Sequence, residues 1–548
     1  MVSYATPYSF TMLEIPCNPA VSSSVSFTGD MTFTIQQPGD KCFIVPKMSY
    51  ISVQLQIMQT REDSSVHCLE PIINTGTRAI PTAVSVPYLC QNPAMSLFQN
   101  VSCYAGSKQI SNYQNASTVN TVYRMMYETE QEQVTVNSTN GIYPMTIDDE
   151  GTAPGFAPDN FISLGAMLGV TVDNITANPP TFNTTNFGRL FTKHMLWALK
   201  NNQFNFNKST TNRLNFQIPV SLFMTDDLLH FGVDGSCKII FNVDPNWATN
   251  LIQIAGSNTC TIPAIGPLIP AGTNFRITTL ANPTGANMGA CAINVNVQDI
   301  KMYICRAHVN NTHVPRSMSL TYYTKGIVTY CTQYNNNANQ LNFNAPMVTP
   351  KGRRLTHIAI CFVTNPGTQF KSSPTDLSSG FTNAVPEVVN TTDMQSLIQL
   401  VSITYGGYTL PQAQYNLTYT QNNNNNVPGA TPSTTNDLQK AFSDFTIFTD
   451  SFRDRVGSTL SFSKWLAQQI YVFKTRQDMN ITSSDVQVVI RCITPPTVSS
   501  NVYVIGLYDE YITMRYDEFA RVTDVDTDGS APGILGPAPP PTNPFYKE

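Results

Sequence analysis

The sequence is short of charge. Only 12% of its 548 residues are Asp, Glu, Lys or Arg, against about 25% in a typical soluble domain. The formal net charge is −5, and the densest basic cluster is Lys351 with Arg353 and Arg354. A surface that neutralises many phosphates needs clustered cations. We therefore predict no direct, sequence-specific binding of nucleic acid.

Long apolar runs and a secretory leader are missing as well. No window approaches the roughly 20 apolar residues of a membrane span. The first residues, MVSYATPYSFTMLEIPC, have neither a charged n-region nor an apolar h-region. The sequence thus predicts no transmembrane segment and synthesis without a secretory signal.

The 12 Cys residues form no framework that the sequence reveals. They include no CxxC pair and no Cys/His cluster with zinc-site spacing. They are interpreted as small, buried, apolar residues of a protein made in a reducing compartment. In such a protein the ten Asn-x-Ser/Thr matches, Asn115 and Asn137 among them, are accidents of an Asn- and Thr-rich composition.

Catalytic signatures are lacking too. No GxSxG, GxxxxGKS/T, GxGxxG or HExxH pattern occurs, so we predict no enzyme, no catalytic residues and no cofactor.

One stretch is similar to the start of a calcium loop, in which alternate carboxylates converge on a cation: Asp524, Asp526 and Asp528 before Gly529. The twelfth position, normally a bidentate Glu, is Leu535. A solvated acidic hinge is favoured, and the three Asp residues remain a calcium candidate.

What the chain does contain favours strands and turns. Thr, Val, Ile, Tyr and Phe are abundant, and 37 Pro and 29 Gly accompany many Asn. β-branched and aromatic residues favour strands, while Asn, Gly and Pro favour the turns between them. At this length a single core is not expected, and two large units fit. The fold class is predicted to be mainly β.

An internal repeat supports two units. Residues 96–106 read SLFQNVSCYAG, and residues 396–406 read SLIQLVSITYG, with six identities in eleven positions. A repeat of this kind bears on the whole architecture. We predict one equivalent strand in each half of the chain.

A second pair of segments tests the repeat. Residues 292–305 (AINVNVQDIKMYIC) and 501–516 (NVYVIGLYDEYITMRY) both have an apolar alternation interrupted by acid, at Asp299 and Asp509. Their offset is 210, against 300 for the first pair, so the first half holds 90 more residues between the two segments. Irregular stretches at 138–190 and 245–288 can supply this excess. The one-residue phase slip at Asp299 also predicts a bulge.

The order of these patterns resembles a known family. The first half runs through YISVQLQIM, SLFQNVSCYAGSKQIS, a short helix, LNFQIPV and CKIIFNV; the second runs through GIVTYCTQY, LTHIAICFV, SLIQLVSITYGG and VYVIGLYDEYITMRY. Both halves are similar to double-jelly-roll viral major capsid proteins, most of all those of polinton-like viruses, adintoviruses and virophages. The resemblance implies two eight-stranded antiparallel jelly-roll sandwiches in tandem, with short helices and long inserted loops.

We expect four parts along the chain. They are an N-terminal arm at 1–23, a first jelly roll at 24–312 with tower-like insertions at 138–190 and 245–288, a second jelly roll at 313–523, and a Pro/Gly-rich tail at 524–548. A tail of this composition cannot bury a core.

The resemblance also implies a function. It implies a structural subunit without catalysis that forms homotrimers, which act as pseudo-hexagonal capsomers of an icosahedral DNA-virus shell. The implied location is the virion, and the implied partners are neighbouring capsomers, penton proteins and minor capsid proteins. The alternative is a secreted β-rich adhesin or carbohydrate-binding protein, which the ten sequons, the low charge and the calcium-like loop would suit.

Overall fold

The structure is a computed structural model of the chain. It describes residues 9–21, 27–60, 66–67, 72–76, 81–89, 92–129, 213–225, 227–245, 247, 251–256, 275–279, 291–310, 314–335, 337–349, 353–364, 393–395, 398–412, 415, 417, 420–422, 437–453, 460, 465, 470–475, 485–492, 495 and 499–526. The predicted insertion at 138–190 and the tail beyond residue 526 lie outside these residues.

Eight strands of the first half form two facing sheets, which we call roll 1. The strands are β1 (Ser9–Pro16), β2 (Asp30–Gln36), β3 (Cys42–Thr60), β4 (Phe98–Ala105), β5 (Lys108–Gln114), β6 (Arg213–Pro219), β7 (Ser236–Val243) and β8 (Cys291–His308). One sheet has the order β1-β8-β3-β6, and the other has the order β2-β7-β4-β5. Helix α1 (Ala116–Tyr127) follows β5.

Eight strands of the second half form roll 2. They are β9 (Ser319–Tyr334), β10 (Gln340–Pro346), β11 (His357–Thr364), β12 (Ile398–Tyr405), β13 (Tyr408–Leu410), β14 (Tyr471–Lys474), β15 (Asp485–Cys492) and β16 (Ser500–Tyr516). The sheet orders are β9-β16-β11-β14 and β10-β15-β12-β13. Helix α2 (Leu438–Arg453) lies between β13 and β14.

The two rolls have the same topology, because adding eight to each strand number of roll 1 gives roll 2. Strand pairs in the described residues are antiparallel throughout. Two four-stranded antiparallel sheets with this order make a jelly roll. The predicted fold class, mainly β with two eight-stranded sandwiches in tandem, is confirmed.

The repeat noted in the sequence occupies equivalent places. Its first copy forms β4 and its second forms β12. Each strand ends at a glycine, and Gly106 and Gly406 both have a φ of 59°. This left-handed backbone is one that glycine adopts at little cost. The sequence identity therefore reflects a shared strand and a shared turn.

The predicted bulge is present in roll 1. The register between β8 and β3 shifts between Val297 and Asp299, so Gln298 is the extra residue. In β16 the register with β9 continues through Asp509 without a shift, whereas the pairing with β11 ends at Leu507. Asp509 and Glu510 therefore leave the alternation of inward and outward side chains along β16 intact. Glu510 consequently faces inward, with only 6% of its surface exposed.

Aromatic contacts fill both cores. In roll 1, Phe241 lies at the centre, with ring centroids 4.8 Å from Phe98, 5.5 Å from Phe223 and 6.0 Å from Phe33. In roll 2, Trp465 contacts rings from α2 and β14 and donates its indole N–H to the carbonyl of Ile470 at 2.9 Å. Edge-to-face and tilted pairs at these separations add to the burial of apolar area.

Several segments depart from the sequence expectations. Residues 9–16, assigned to an N-terminal arm, form β1, which pairs along its whole length with β8. The stretch at 245–288, expected to be irregular, contains strands Ile252–Gly256 and Phe275–Thr279. Strand Val522–Asp526, at the boundary of the expected tail, pairs with β16. Backbone hydrogen bonding to a neighbouring strand gives these polar or interrupted segments an order that their own periodicity does not indicate.

The two rolls differ in the length of the connections between their strands. In roll 1, residues 244–290 join β7 to β8, whereas in roll 2 residues 493–499 join the equivalent strands, β15 and β16. The connection containing α1 spans 115–212, and its counterpart containing α2 spans 411–470. The extra residues of the first half thus fall in two connections, as the two offsets predicted.

Gly326 on β9 allows a close approach inside roll 2. A Cβ atom at this position would overlap the ring of Tyr508 on β16. We expect Gly326→Ala to lower the free energy of unfolding by about 1–3 kcal/mol, the usual cost of overpacking a core. Chemical denaturation monitored by tryptophan fluorescence measures this change. In a Tyr508→Ala background the same substitution should cost little, and an equal cost in both backgrounds would contradict the steric explanation.

Candidate functional site

The two rolls meet at a buried junction. The segment of roll 1 that follows β6, residues 220–233, packs against β9 and β16 of roll 2. Thr324 donates its hydroxyl hydrogen to the carbonyl of Met224 at 2.6 Å, and Thr225 donates to the carbonyl of Tyr323 at 2.6 Å. The backbone N–H of Val233 donates to the carbonyl of Ala520 at 2.8 Å. The contact is therefore specified by directional bonds as well as by apolar packing.

His230 lies at the centre of this junction and is fully buried. Its Nδ1 accepts the N–H of Gly232 at 3.0 Å, and its Nε2 lies 3.1 Å from the carbonyl oxygen of Asp40. A ring that accepts at one nitrogen and donates at the other is neutral. Burial lowers the pKa of His230 to about 4, although the Asp40 carbonyl favours the charged form.

Two tyrosines of roll 2 bind the backbone around His230. The hydroxyl of Tyr516 donates to the His230 carbonyl at 2.5 Å, and the His230 N–H lies 3.3 Å from the Tyr322 hydroxyl. The two hydroxyls are 3.2 Å apart. Burial raises the pKa of Tyr322 to about 12 and raises that of Tyr516 further. Both phenols consequently remain protonated donors.

A buried ion pair lies beside the junction. Glu510 is 3.5 Å from the guanidinium of Arg353, which also donates to the carbonyl of Asp509 at 3.3 Å. Desolvation raises the pKa of Glu510 to about 7, because it outweighs the lowering effect of Arg353 at this distance. Tyr113 of roll 1 and Tyr508 are the other titratable groups that interact with this carboxyl.

The two buried groups have opposite effects on the pH dependence of stability. Between about pH 4 and 6.5, the unfolded chain protonates His230 and the folded chain does not, so acidification through this window favours unfolding. Between pH 4.5 and about 7, the folded chain retains a proton on Glu510 that the unfolded chain loses. The contribution of Glu510 to the free energy of unfolding therefore decreases as the pH rises. His357, whose pKa burial lowers to about 3, acts in the same direction as His230.

Large apolar side chains are exposed at a few positions of the described chain. They are Phe10, Met12, Met48, Met318, Val348, Ile447 and Phe519, with exposed fractions from 42% to 74%. Phe10 and Met12 lie on β1, and Ile447 lies on α2. The other four lie on β3 or outside strands and helices, so the seven are dispersed, which is ordinary for single exposed apolar residues.

The calcium candidate falls partly within the described residues. Asp524 and Asp526 alternate along the extended strand Val522–Asp526, and a nitrogen of Arg515 is 3.5 Å from the Asp524 carboxylate. Asp528 lies outside the described part. Among the residues that the structure describes, no group of three or more His, Cys, Asp or Glu could hold a metal ion. The candidate remains a prediction from sequence.

The cysteines of the described segments are free thiols. Seven are buried, namely Cys17, Cys42, Cys103, Cys237, Cys305, Cys361 and Cys492, and Cys331 is exposed. Their burial agrees with the interpretation of cysteine as a small core residue. None of the helices in the described part is long and apolar enough to cross a membrane.

Comparison with known proteins reveals a likeness in fold. Neither a family model nor a curated protein sequence matches the chain. A cryo-electron microscopy structure of the Sputnik virophage matches with a TM-score of 0.51 and 13% identity, over 97% of this chain and 90% of that one. The chain has the double-jelly-roll fold. Further double-jelly-roll matches are the mavirus major capsid protein (TM-score 0.48, 10% identity, 96% and 92% covered) and the Faustovirus major capsid protein (0.44, 10%, 93% and 92%).

Sequence reasoning did not find the junction of the two jelly rolls. Tyr322 and Tyr516 occupy inward positions of apolar strand patterns, and such a pattern does not show what covers the strand. His230 belongs to no recognisable motif. The available signal was the unusual length of β9 and β16, because strands of 16 and 17 residues exceed what one sandwich covers.

His230→Asn tests the role of the neutral imidazole. Asparagine does not titrate, and its side-chain oxygen accepts the Gly232 N–H. We expect the stability of the variant to decrease less between pH 6.5 and 4 than that of the wild-type protein, because the variant lacks the contribution of His230 whereas those of His357 and Glu510, which act in opposite directions, are unchanged. Urea denaturation at half-unit pH intervals measures both slopes. Identical slopes would contradict the assignment of this proton to His230.

Proposed function

We propose that this chain is a structural major capsid protein of a DNA virus, that three copies form a pseudo-hexagonal capsomer, and that capsomers tile an icosahedral shell. The observation that carries the proposal is the pairing of two jelly rolls of identical strand order through a buried junction. A stiff unit with two near-equivalent halves gives six near-equivalent edges about a threefold axis. The likeness in fold to the Sputnik virophage structure supports this role.

The chemistry of the described surface suits assembly better than turnover. The outer face of the β1-β8-β3-β6 sheet of roll 1 carries amides such as Gln54 and Asn215, which bond to each other at 3.2 Å, together with an ion pair between Lys301 and Glu14. Hydrogen-bonding groups of this kind are common at the polar rim of an interface between subunits. We assign the protein no catalytic role and place it in the virion.

The alternative of a secreted adhesin receives no specific support. Secreted β-rich proteins commonly use disulfides, whereas the eight described cysteines are free. The calcium-like loop has Leu535 at the twelfth position, where a bidentate Glu is usual. We therefore retain the capsid role as the single proposal.

The mass of the purified protein in solution tests the proposal. We expect sedimentation equilibrium to give three times 60.4 kDa, because six rolls are needed to close a pseudo-hexagonal ring. Electron microscopy of the same sample should show ring-shaped particles with six lobes. A stable monomer across micromolar concentrations would overturn the capsomer.

The Pro-rich C-terminal segment is proposed to bind a neighbouring capsomer, a penton or a minor capsid protein. Its composition, with GPAPPPTNP near the end, favours an extended segment that gains order from a partner. Deletion of residues 530–548 should leave the trimer mass unchanged and reduce the yield of complete shells. Electron microscopy of particles from infected or co-expressing cells measures that yield, and a normal yield would contradict the assignment.

A further inference from the structure

A groove lies at one end of the junction between the two rolls, and we call it the junction groove. Its volume is about 470 Å³, within the range of about 300–1,000 Å³ that is usual for ligand pockets. Roll 1 contributes the turn at 105–108, between β4 and β5, and the segment at 231–236 before β7. The opposite wall is residues 521–525, most of which belong to the strand that follows β16. The groove is thus lined by both halves of the chain.

Backbone contacts hold the walls of the junction groove in place. A Cβ atom at Gly232, whose φ is 81°, would lie 2.5 Å from the backbone nitrogen of Val522, so the two backbones approach closely at this point. The N–H of Gly106 donates to the carbonyl of Ser236 at 2.8 Å, which fixes the turn at 105–108 against the segment before β7. The shape of the groove therefore follows from the backbone and does not depend on side-chain rotamers alone.

The junction groove has an apolar floor and a polar rim. Phe231 and Met514 are buried, with 3% and 1% of their surfaces exposed, and they form the floor. The rim carries two cationic and two anionic side chains, namely Lys108, Arg521, Asp234 and Asp524. Because their formal charges cancel, the groove favours an uncharged occupant with apolar side chains.

Strand Val522–Asp526, which borders the junction groove, is paired along one edge. This edge pairs with β16, where Asp526 lies opposite Thr513 and Asp524 lies opposite Arg515. No second strand of the described chain pairs with Val522–Asp526. The second edge of such a strand offers backbone N–H and C=O groups to an extended segment that runs alongside it. The groove therefore combines an apolar floor with the hydrogen-bonding edge of a strand.

The sequence that follows this strand has the composition that the junction groove favours. Residues 529–546 contain no charged side chain, and Ile534 and Leu535 are their one pair of adjacent large aliphatic residues. Pro532 and Gly533 precede this pair. Proline in a sheet is confined largely to edge strands, and a segment added beside Val522–Asp526 would itself be the edge.

A turn signal directs this sequence back toward the groove. Asp528–Gly529 is a favoured two-residue turn between antiparallel strands. With a turn there, Ala531 lies opposite Asp526 and Leu535 lies opposite Val522. A short connection of this kind also gives the segment a far higher effective concentration at its own strand than a second copy would have. The same chain is therefore the favoured source of the occupant.

We propose that residues 530–536 of the same chain occupy the junction groove as a strand antiparallel to Val522–Asp526. The apolar side chains of Ile534 and Leu535 lie on the floor of the groove. The segment contacts both rolls and closes their junction from outside, and residues 537–548 leave the groove and are available to the partners proposed above. This inference concerns a single chain and does not rest on the proposed capsomer.

Two truncations test whether the segment covers the strand. One protein ends at Gly529 and the other ends at Gly536, so only the second keeps the proposed segment. Hydrogen exchange followed by mass spectrometry measures the amides of residues 522–526. Compared with the full chain, we expect exchange to be about tenfold faster in the shorter protein and unchanged in the longer one, because edge amides are protected only when they are bonded. Equal exchange in all three proteins would overturn the proposal.

A point variant of the full chain serves if the protein that ends at Gly529 does not fold, which exchange in the core strand β3 would reveal. Ile534→Asp places a charge on the apolar floor, which is costly without a partner. Its matched control is Ala538→Asp, which adds the same charge outside the segment. We expect the faster exchange of residues 522–526 in Ile534→Asp alone. The same exchange in both variants would contradict the placement of Ile534.

Substitutions on the roll 1 side test the location. Ser107 lines the groove, whereas Gln109 does not, and both positions are exposed, so the fold should persist. Ser107→Trp fills the groove, and Gln109→Trp is the matched control. We expect the amides of residues 530–536 to exchange about tenfold faster in Ser107→Trp than in the unsubstituted protein, and Gln109→Trp to have no effect. Unchanged protection of 530–536 in Ser107→Trp would show that the segment lies elsewhere.

A mixture identifies the source of the segment. The protein that ends at Gly529 has the groove without the segment, and an excess of isotopically labelled full-length protein supplies the segment from a second copy. In the proposed arrangement each full-length chain fills its own groove, so residues 522–526 of the short protein continue to exchange rapidly. Restored protection of these residues would show that a second copy fills the groove, and it would overturn the assignment to the same chain.

Discussion

The alternation of inward and outward side chains along the two long strands β9 and β16 is the constraint on which the rest of this structure depends. Along β16, inward residues follow one another from Val504 in the core of roll 2 to Tyr516 at its far end. The same face of β9 carries Tyr322 and Thr324. The second sheet of roll 2 does not cover the far half of this face, and burial of it requires roll 1. The residues that meet it are Met224 and His230, with hydrogen bonds to Thr324 and Tyr516. Roll 1 thus buries the part of β9 and β16 that extends beyond the core of roll 2.

Polar atoms in this junction give it a single geometry. An apolar contact tolerates sliding, whereas a neutral His230 that accepts from Gly232 and lies against the Asp40 carbonyl fits only one arrangement. Each of these groups would be costly to bury without its partner. The junction thereby holds the two jelly rolls as one block, which is the mechanical property that the proposed role requires. It also makes the block sensitive to acid, since a proton on His230 would have no acceptor at Nδ1.

The two halves have remained alike where strands pair and have diverged in the length of the connections between strands. Gly106 and Gly406 share a φ of 59° after equivalent strands, because the turn between β4 and β5 has the same geometry in both rolls. The bulge at Gln298 has no counterpart in the register of β16 with β9. Insertions fall in the connections that contain α1 and that join β7 to β8. Near-equivalent scaffolds with unequal loops allow one chain to supply two kinds of edge, as the proposed capsomer requires.

The sequence by itself determined the class, the number of units and most strands, because each rests on local alternation and on a repeat that needs no knowledge of neighbours. The bulge at Asp299 was predictable for the same reason. The sequence did not reveal β1, because this strand is formed by pairing with β8, almost 300 residues away. It also did not reveal that Glu510 faces inward, because the acidic pair of Asp509 and Glu510 resembles a break in the strand. Only the tertiary structure decided that Tyr322 and Tyr516 face His230 and not their own core. The physical reason is that alternation fixes which side of a strand is buried, whereas the partner that buries it is chosen by contacts between distant parts of the chain.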